Sequence, residues 1–144
     1  MPYNTILIPL DGSPDAVFAC ETAINLGSPD VSGKMLHLVH CVDPIPALIK
    51  GETRENLLQE RKTKVDTVFV RAKGRLESHG FLCKTHVCEG DPGEEILRVC
   101  RKAGCDVIIM GTRGLGRLKS LLLGSVSRDV LKGATVPVIL VRPS

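Results

Sequence analysis

Asp106–Met110, DVIIM, runs straight into Gly111–Ser127, GTRGLGRLKSLLLGSVS. After its first residue DVIIM is wholly apolar, which predicts a central parallel strand covered on both faces. The stretch after it holds four glycines, three cations and no acid. Glycines let backbone N–H groups approach an oxygen without a Cβ in the way. Gly124-Ser125-Val126-Ser127 predicts a helix start, where unpaired N–H groups and the helix dipole favour an anion. Ser125 and Ser127 add two hydroxyls, and Arg113, Arg117 and Lys119 can neutralise charge. The composition predicts a phosphate cradle. A basic surface loop without a ligand would have the same composition, and that alternative stays open here.

The neighbouring segments repeat the pattern. Thr5-Ile6-Leu7-Ile8-Pro9-Leu10 predicts a buried strand that ends at Asp11-Gly12-Ser13. Ser13-Pro14 caps a helix in which Val17, Cys20 and Ile24 recur at helical spacing and which Gly27 stops. Met35–Val42 predicts a second strand, broken by Asp43-Pro44-Ile45-Pro46. A long helix is expected from Thr53 to His79, with its apolar stripe on Leu57, Leu58, Val65, Val68, Phe69, Ala72 and Leu76. Phe81 to Glu89 is of mixed polarity and predicts a strand nearer an edge. Asp91, Pro92 and Glu94 cap the next helix, and Gly104 ends it. A short helix from Ser125 to Lys132 and a last strand, VPVILV (Val136 to Val141), complete the chain.

Strands alternating with helices imply right-handed crossovers and one parallel sheet. The expected fold is α/β: one domain over residues 1–144, a flavodoxin-like or Rossmann-like three-layer sandwich, five parallel strands with helices on both faces. Ligands in such sheets bind beyond the carboxyl ends of the strands, where strand order reverses. Pro9-Leu10-Asp11, Cys41-Val42-Asp43 and Met110-Gly111 fall on that rim, with the glycine-rich stretch.

Other readings fail on particular residues. Gly111 to Leu118 approaches a P-loop, but Arg117 stands in place of the Lys and Leu118 in place of the metal-binding hydroxyl. The dinucleotide fingerprint lacks its third glycine and sits at the wrong strand. A receiver domain needs a phosphoacceptor Asp ending its third strand, and Asp91 is explained as a helix cap. Net charge is +3 with no Trp and one Tyr, which argues against nucleic-acid partners. No apolar run approaches the roughly 20 residues that span a membrane. Cys20, Cys41, Cys83, Cys88, Cys100 and Cys105 form no C-x-x-C and read as buried, reduced thiols of a cytoplasmic protein. His37 and His40 face opposite sides of one strand. His79 and His86 read as surface residues flanking a turn.

Gly111-x2-Gly114-x9-Gly124-Ser125 resembles the signature of the universal stress protein family, of its ATP-binding kind. ILIPLDGS, LHLVHCVDP, GDPGEEIL, CDVIIMGTRGLG and TVPVILVRP resemble that family in the same order along the whole chain. The resemblance implies that Pro9, Leu10 and Asp11 flank an adenosine, with the Asp11 carboxylate on the ribose hydroxyls. The backbone at Cys41, where the family more often has an aliphatic residue, would face the adenine. Met110 and Gly111 would lie near the ribose and adenine. Gly114, Gly124, Ser125, Val126 and Ser127 would surround the phosphates, and Arg113 stands in the same loop without a fixed role. The implied ligand is ATP (or AMP or ADP), with Mg2+ or Mn2+ on the phosphates. The implied assembly is a homodimer through Val136 to Val141. An apolar terminal strand supports that pairing independently, because an exposed apolar edge templates unwanted contacts. The function so implied is a nucleotide-dependent stress-response regulator with slow or no ATP hydrolysis and a protein partner that the residues do not name. A nucleotide-independent interaction module, and a slow ATPase or phosphotransferase, are the alternatives.

Overall fold

The computed structural model describes residues 3–27, 33–112 and 123–142. Its elements are β1 (Thr5–Pro9), α1 (Pro14–Gly27), β2 (Met35–Val42), α2 (Gly51–Glu77), β3 (Leu82–Glu89), α3 (Pro92–Ala103), β4 (Val107–Gly111), α4 (Ser125–Gly133) and β5 (Val138–Val141). All strand pairs are parallel, in the order β3-β2-β1-β4-β5. The chain steps outward from β1 to β2 and β3, then returns to the other side of β1 for β4 and β5. Strand order therefore reverses between β1 and β4. This is the expected five-stranded α/β sandwich.

Ile6, Leu7 and Ile8 of β1 are fully buried. Alternate strand residues point to opposite faces, and the two faces carry separate cores. Ile6 and Ile8 join Leu36, Leu38 and Ile109 beneath α1 and α2. Leu7 joins Val39, Ile108 and Met110 beneath α3 and α4. The expected central place of DVIIM holds: β4 lies between β1 and β5 and is buried from Val107 to Met110. β3 is an edge strand, as its mixed polarity suggested.

The caps follow the chemistry of their residues. Ser13 Oγ accepts a hydrogen bond from the Ala16 N–H at 3.4 Å at the start of α1. Asp91 accepts one from the Glu94 N–H at 3.0 Å at the start of α3, and Gly104 ends that helix at φ 68°.

Three sequence expectations are corrected. Val17 is 60 % exposed, and the buried side of α1 is Ala16, Ala19, Cys20, Ala23 and Ile24. Small alanines, not the larger Val, face the sheet. Leu58 is exposed and Leu57 only half-buried, while Val65, Phe69 and Leu76 are the residues that α2 buries. Its 27 residues span about 40 Å, whereas an eight-residue strand such as β3 spans about 26 Å. The first turns of α2 therefore project beyond the sheet. His86 does not flank a turn. It stands within β3, half-buried, and its Nε2 lies 2.9 Å from Nδ1 of buried His37, one ring donating to the other. His37 and His40 do face opposite sides, since His40 packs edge-on against Phe69 of α2.

Burial, then the nearby His86 and Lys84, lower the His37 pKa. Burial, then Lys84, Arg98 and Lys102, lower that of His86. The native state thus favours both neutral rings, against an unfolded value of about 6.5. Their contribution to stability is complete above about pH 6.5 and is lost as pH falls through the lowered native values. Urea unfolding followed from about pH 7 to about pH 5 should show a falling midpoint. The fall should be shallower in His37→Gln/His86→Gln, and an unchanged slope would refute the assignment.

Candidate functional site

A cavity of about 510 Å³ opens where strand order reverses. Its floor is the carboxyl ends of β1, β2 and β4, and its walls are the starts of α1, α3 and α4. Pro9, Leu10, Asp11, Cys41, Met110, Gly111, Gly124, Ser125, Val126 and Ser127 all line it, so these residues, expected at the site from the sequence, do converge. Arg113 and Gly114 lie outside the described residues. Asp43, expected on the rim, also lines the cavity, as do Val39, Ser13, Ala16, Pro92 and Ile96, which were not singled out as site residues. The Gly90-Asp91-Pro92 helix start, on the same rim, was the available signal for Pro92 and Ile96.

The three helix starts differ in electrostatics. α1 is capped by the Ser13 hydroxyl and α3 by the Asp91 carboxylate. α4 begins at Gly124 with no side-chain cap and no acid in its first turn. Its first N–H groups and the positive end of its dipole are therefore the ones on this cavity left for a ligand anion. Gly124 has φ −75°, which any residue adopts. Its use is the absence of a side chain, not an unusual backbone.

The exit of β4 is tied to the start of α4. The Gly124 N–H donates to the Thr112 carbonyl at 2.6 Å, and the Thr112 N–H donates to Val141 of β5 at 3.0 Å. Ser127 Oγ lies 2.9 Å from the Gly111 carbonyl and 3.2 Å from that of Thr112. Ser127 is buried. Its hydroxyl is directed inward, so of the two hydroxyls expected to meet an anion, the exposed one is Ser125.

Across the cavity, Asp11 Oδ1 accepts the Ser13 N–H at 2.8 Å, which fixes a half-buried carboxylate at the end of β1. Gly12 sits at φ +85°, a conformation that glycine adopts without strain. From the opposite face of the sheet, His40 Nδ1 lies 2.6 Å from the Leu10 carbonyl. A carbonyl only accepts, so this nitrogen carries the proton and donates. Sequence periodicity could place His40 on a face, but not find this brace. Burial, then Cys88, push the Cys41 thiol up to about 12, so Cys41 meets the cavity as a neutral S–H. A wider cavity beneath the projecting turns of α2 shares the wall of Asp11, Cys41 and Asp43. Among the described residues, no group of three or more His, Cys, Asp or Glu is arranged to hold a metal ion, and no helix is long and apolar enough to cross a membrane.

The family model that matches this chain, over residues 2–142, is that of the universal stress protein family. The chain belongs to this family. This universal stress protein is 34% identical over 140 residues to one from Thermus aquaticus, covering 97% of this chain and 99% of that protein. It is 33% identical over 141 residues to the universal stress protein MJ0531 of Methanocaldococcus jannaschii, covering 97% and 82%. Among solved structures, MJ0577 of the same organism superposes with a TM-score of 0.85 at 32% identity, covering 100% and 99%. A family member from Arabidopsis thaliana with AMP bound superposes with a TM-score of 0.75 at 20% identity, covering 98% and 92%, a likeness of fold.

Ser127→Ala should remove the inward tie between β4 and α4. The expected loss is about 1 kcal/mol of stability, read as a lower urea midpoint at unchanged slope. A midpoint equal to that of the unaltered protein would show that the bond contributes nothing net.

Proposed function

We propose that this universal stress protein is one adenine-nucleotide-binding domain, cytoplasmic and dimeric, acting as a nucleotide-dependent regulator and turning ATP over slowly or not at all. The observation that carries the reading is the pairing of two opposite ends on one cavity. The uncapped, acid-free start of α4 suits an anion, and the fixed Asp11 carboxylate suits hydroxyl donors. In this reading the phosphates lie on the N–H groups of Ser125 to Ser127, which Gly124 leaves open, and on the Ser125 hydroxyl. The ribose hydroxyls donate to Asp11, and the adenine meets the backbone at Cys41 beside Met110 and Gly111. Gly114, and Arg113 beside it, enter the reading only through the glycine motif, since both lie outside the described residues. A divalent cation would ride on the phosphates rather than in a cage of side chains. AMP in the Arabidopsis relative is consistent with this, but the reading rests on the cavity.

The dimer reading rests on β5. Among the described residues no strand pairs with its outer edge, opposite β3, and Val138–Val141 carries no charge. The Ile108 N–H bonds the Pro137 carbonyl, so by alternation the N–H groups of Val138 and Leu140 point outward. Val138→Pro removes an outward donor and spares the ladder to β4. Sedimentation velocity should find this variant monomeric at concentrations where the unaltered protein is a dimer; a dimer of unchanged strength would refute pairing through β5.

Freshly purified protein should release adenine nucleotide on denaturation, identified by chromatography and mass spectrometry. Calorimetric titration of the nucleotide-free protein with ATP and magnesium should give micromolar binding. Gly124→Val, which fills the approach to α4 without backbone strain, should weaken it at least about tenfold, roughly 1.4 kcal/mol. Asp11→Ala should weaken it by a similar factor, and turnover should stay below about 1 per second. No released nucleotide and no binding would refute the reading and leave a nucleotide-independent interaction module.

A further inference from the structure

β3 is the second free edge of the sheet, and its chemistry is the opposite of β5. Eight residues pair it with β2 along its full length, so the edge is held straight. The Leu82 N–H donates inward to Lys34. By alternation the N–H and C=O groups of Cys83, Thr85 and Val87 point outward, and among the described residues no strand pairs with them.

The two faces of this edge differ. On the α3 side, the charges of Lys84, Arg98 and Lys102 all act on the His86 ring. Arg98 pairs with Glu95 at 2.7 Å. Lys84 and Lys102 are exposed and form no ion pair with any described residue. On the α2 side, Val87 is 55 % exposed. A second copy of this chain does not fit here. Antiparallel self-pairing would bring the same cations together from both copies, and like charges across a ladder destabilise it.

We propose that the β3 edge is a docking site for an extended acidic segment of another protein, added as a sixth strand. Residues of that strand alternate between faces. Acidic side chains on one face would meet Lys84 and Lys102, and apolar ones on the other would meet Val87. Main-chain bonds to Cys83, Thr85 and Val87 would set its register. The site lies apart from the nucleotide cavity and does not depend on what fills it.

The probe is a fluorescein-labelled peptide of alternating Glu and Val, as long as β3, titrated by anisotropy at low ionic strength. Saturable binding is expected, together with slowed amide exchange at Cys83, Thr85 and Val87. Lys84→Glu/Lys102→Glu should weaken binding at least about tenfold. Thr85→Pro removes an outward donor while leaving the β2 ladder intact, and should abolish binding at an unchanged melting temperature. If that variant is unfolded, the charge reversal and the exchange pattern decide. No saturable binding would overturn the proposal, leaving Lys84 as a guard against aggregation. Equal binding of a single-stranded oligonucleotide, or binding that a folded Thr85→Pro retains, would overturn it by showing a general polyanion patch.

Discussion

β1 has no solvent side. Neighbours pair with both of its edges, and helices cover both of its faces, which is why Ile6, Leu7 and Ile8 show no exposed surface. A strand so enclosed must be apolar at both parities, and it forces the chain to cross over twice in one direction and twice in the other. The reversal leaves a crevice at the carboxyl ends of β1 and β4, because the connections there diverge to opposite faces. The cavity is a consequence of how the centre of the sheet is buried.

Within that crevice, the polarity of each wall follows from what caps each helix. A carboxylate cap, as at Asp91, repels an anion from the start of α3, while Gly124 leaves α4 open. The hydrogen bonds from Gly124 and Ser127 to the β4 exit hold that open end still. His40 does the same for Leu10 from behind the sheet. Groups that would touch a ligand are thus fixed by groups that would not. Gly93 has a related role: a Cβ there would lie 2.7 Å from Cβ of Asp129, so its absence lets α3 and α4 close together beside the cavity.

Much of this could be read from residue order. The apolar runs at Thr5–Pro9 and Val107–Gly111, with the glycines and prolines that punctuate them, specify the strands and the rim. The convergence of Asp11, Cys41 and Gly124 then follows from topology. What stayed hidden depends on distances between elements far apart in sequence. Val17 fits the helical spacing, yet the face that packs on the sheet is lined by alanines because α1 lies close to β4. His86 reads from sequence as a surface residue flanking a turn, and only the pairing of β2 with β3 sets it against His37. Ser127 belongs to a motif that suggests a ligand, and only the nearness of Gly111 shows its hydroxyl turned inward.

An open parallel sheet must also dispose of two edges. The crossover helices cover its faces but leave the outermost strands with unpaired N–H and C=O groups. Here the edges differ in kind. The four residues of β5 are uncharged and apolar at both parities, so an identical strand meets no like charge there. β3 places Lys84 on its α3 face, with Arg98 and Lys102 of α3 alongside. An identical strand is repelled there and an acidic one is not. The same backbone geometry thus permits self-pairing at one edge and opposes it at the other, and side-chain charge alone makes the difference.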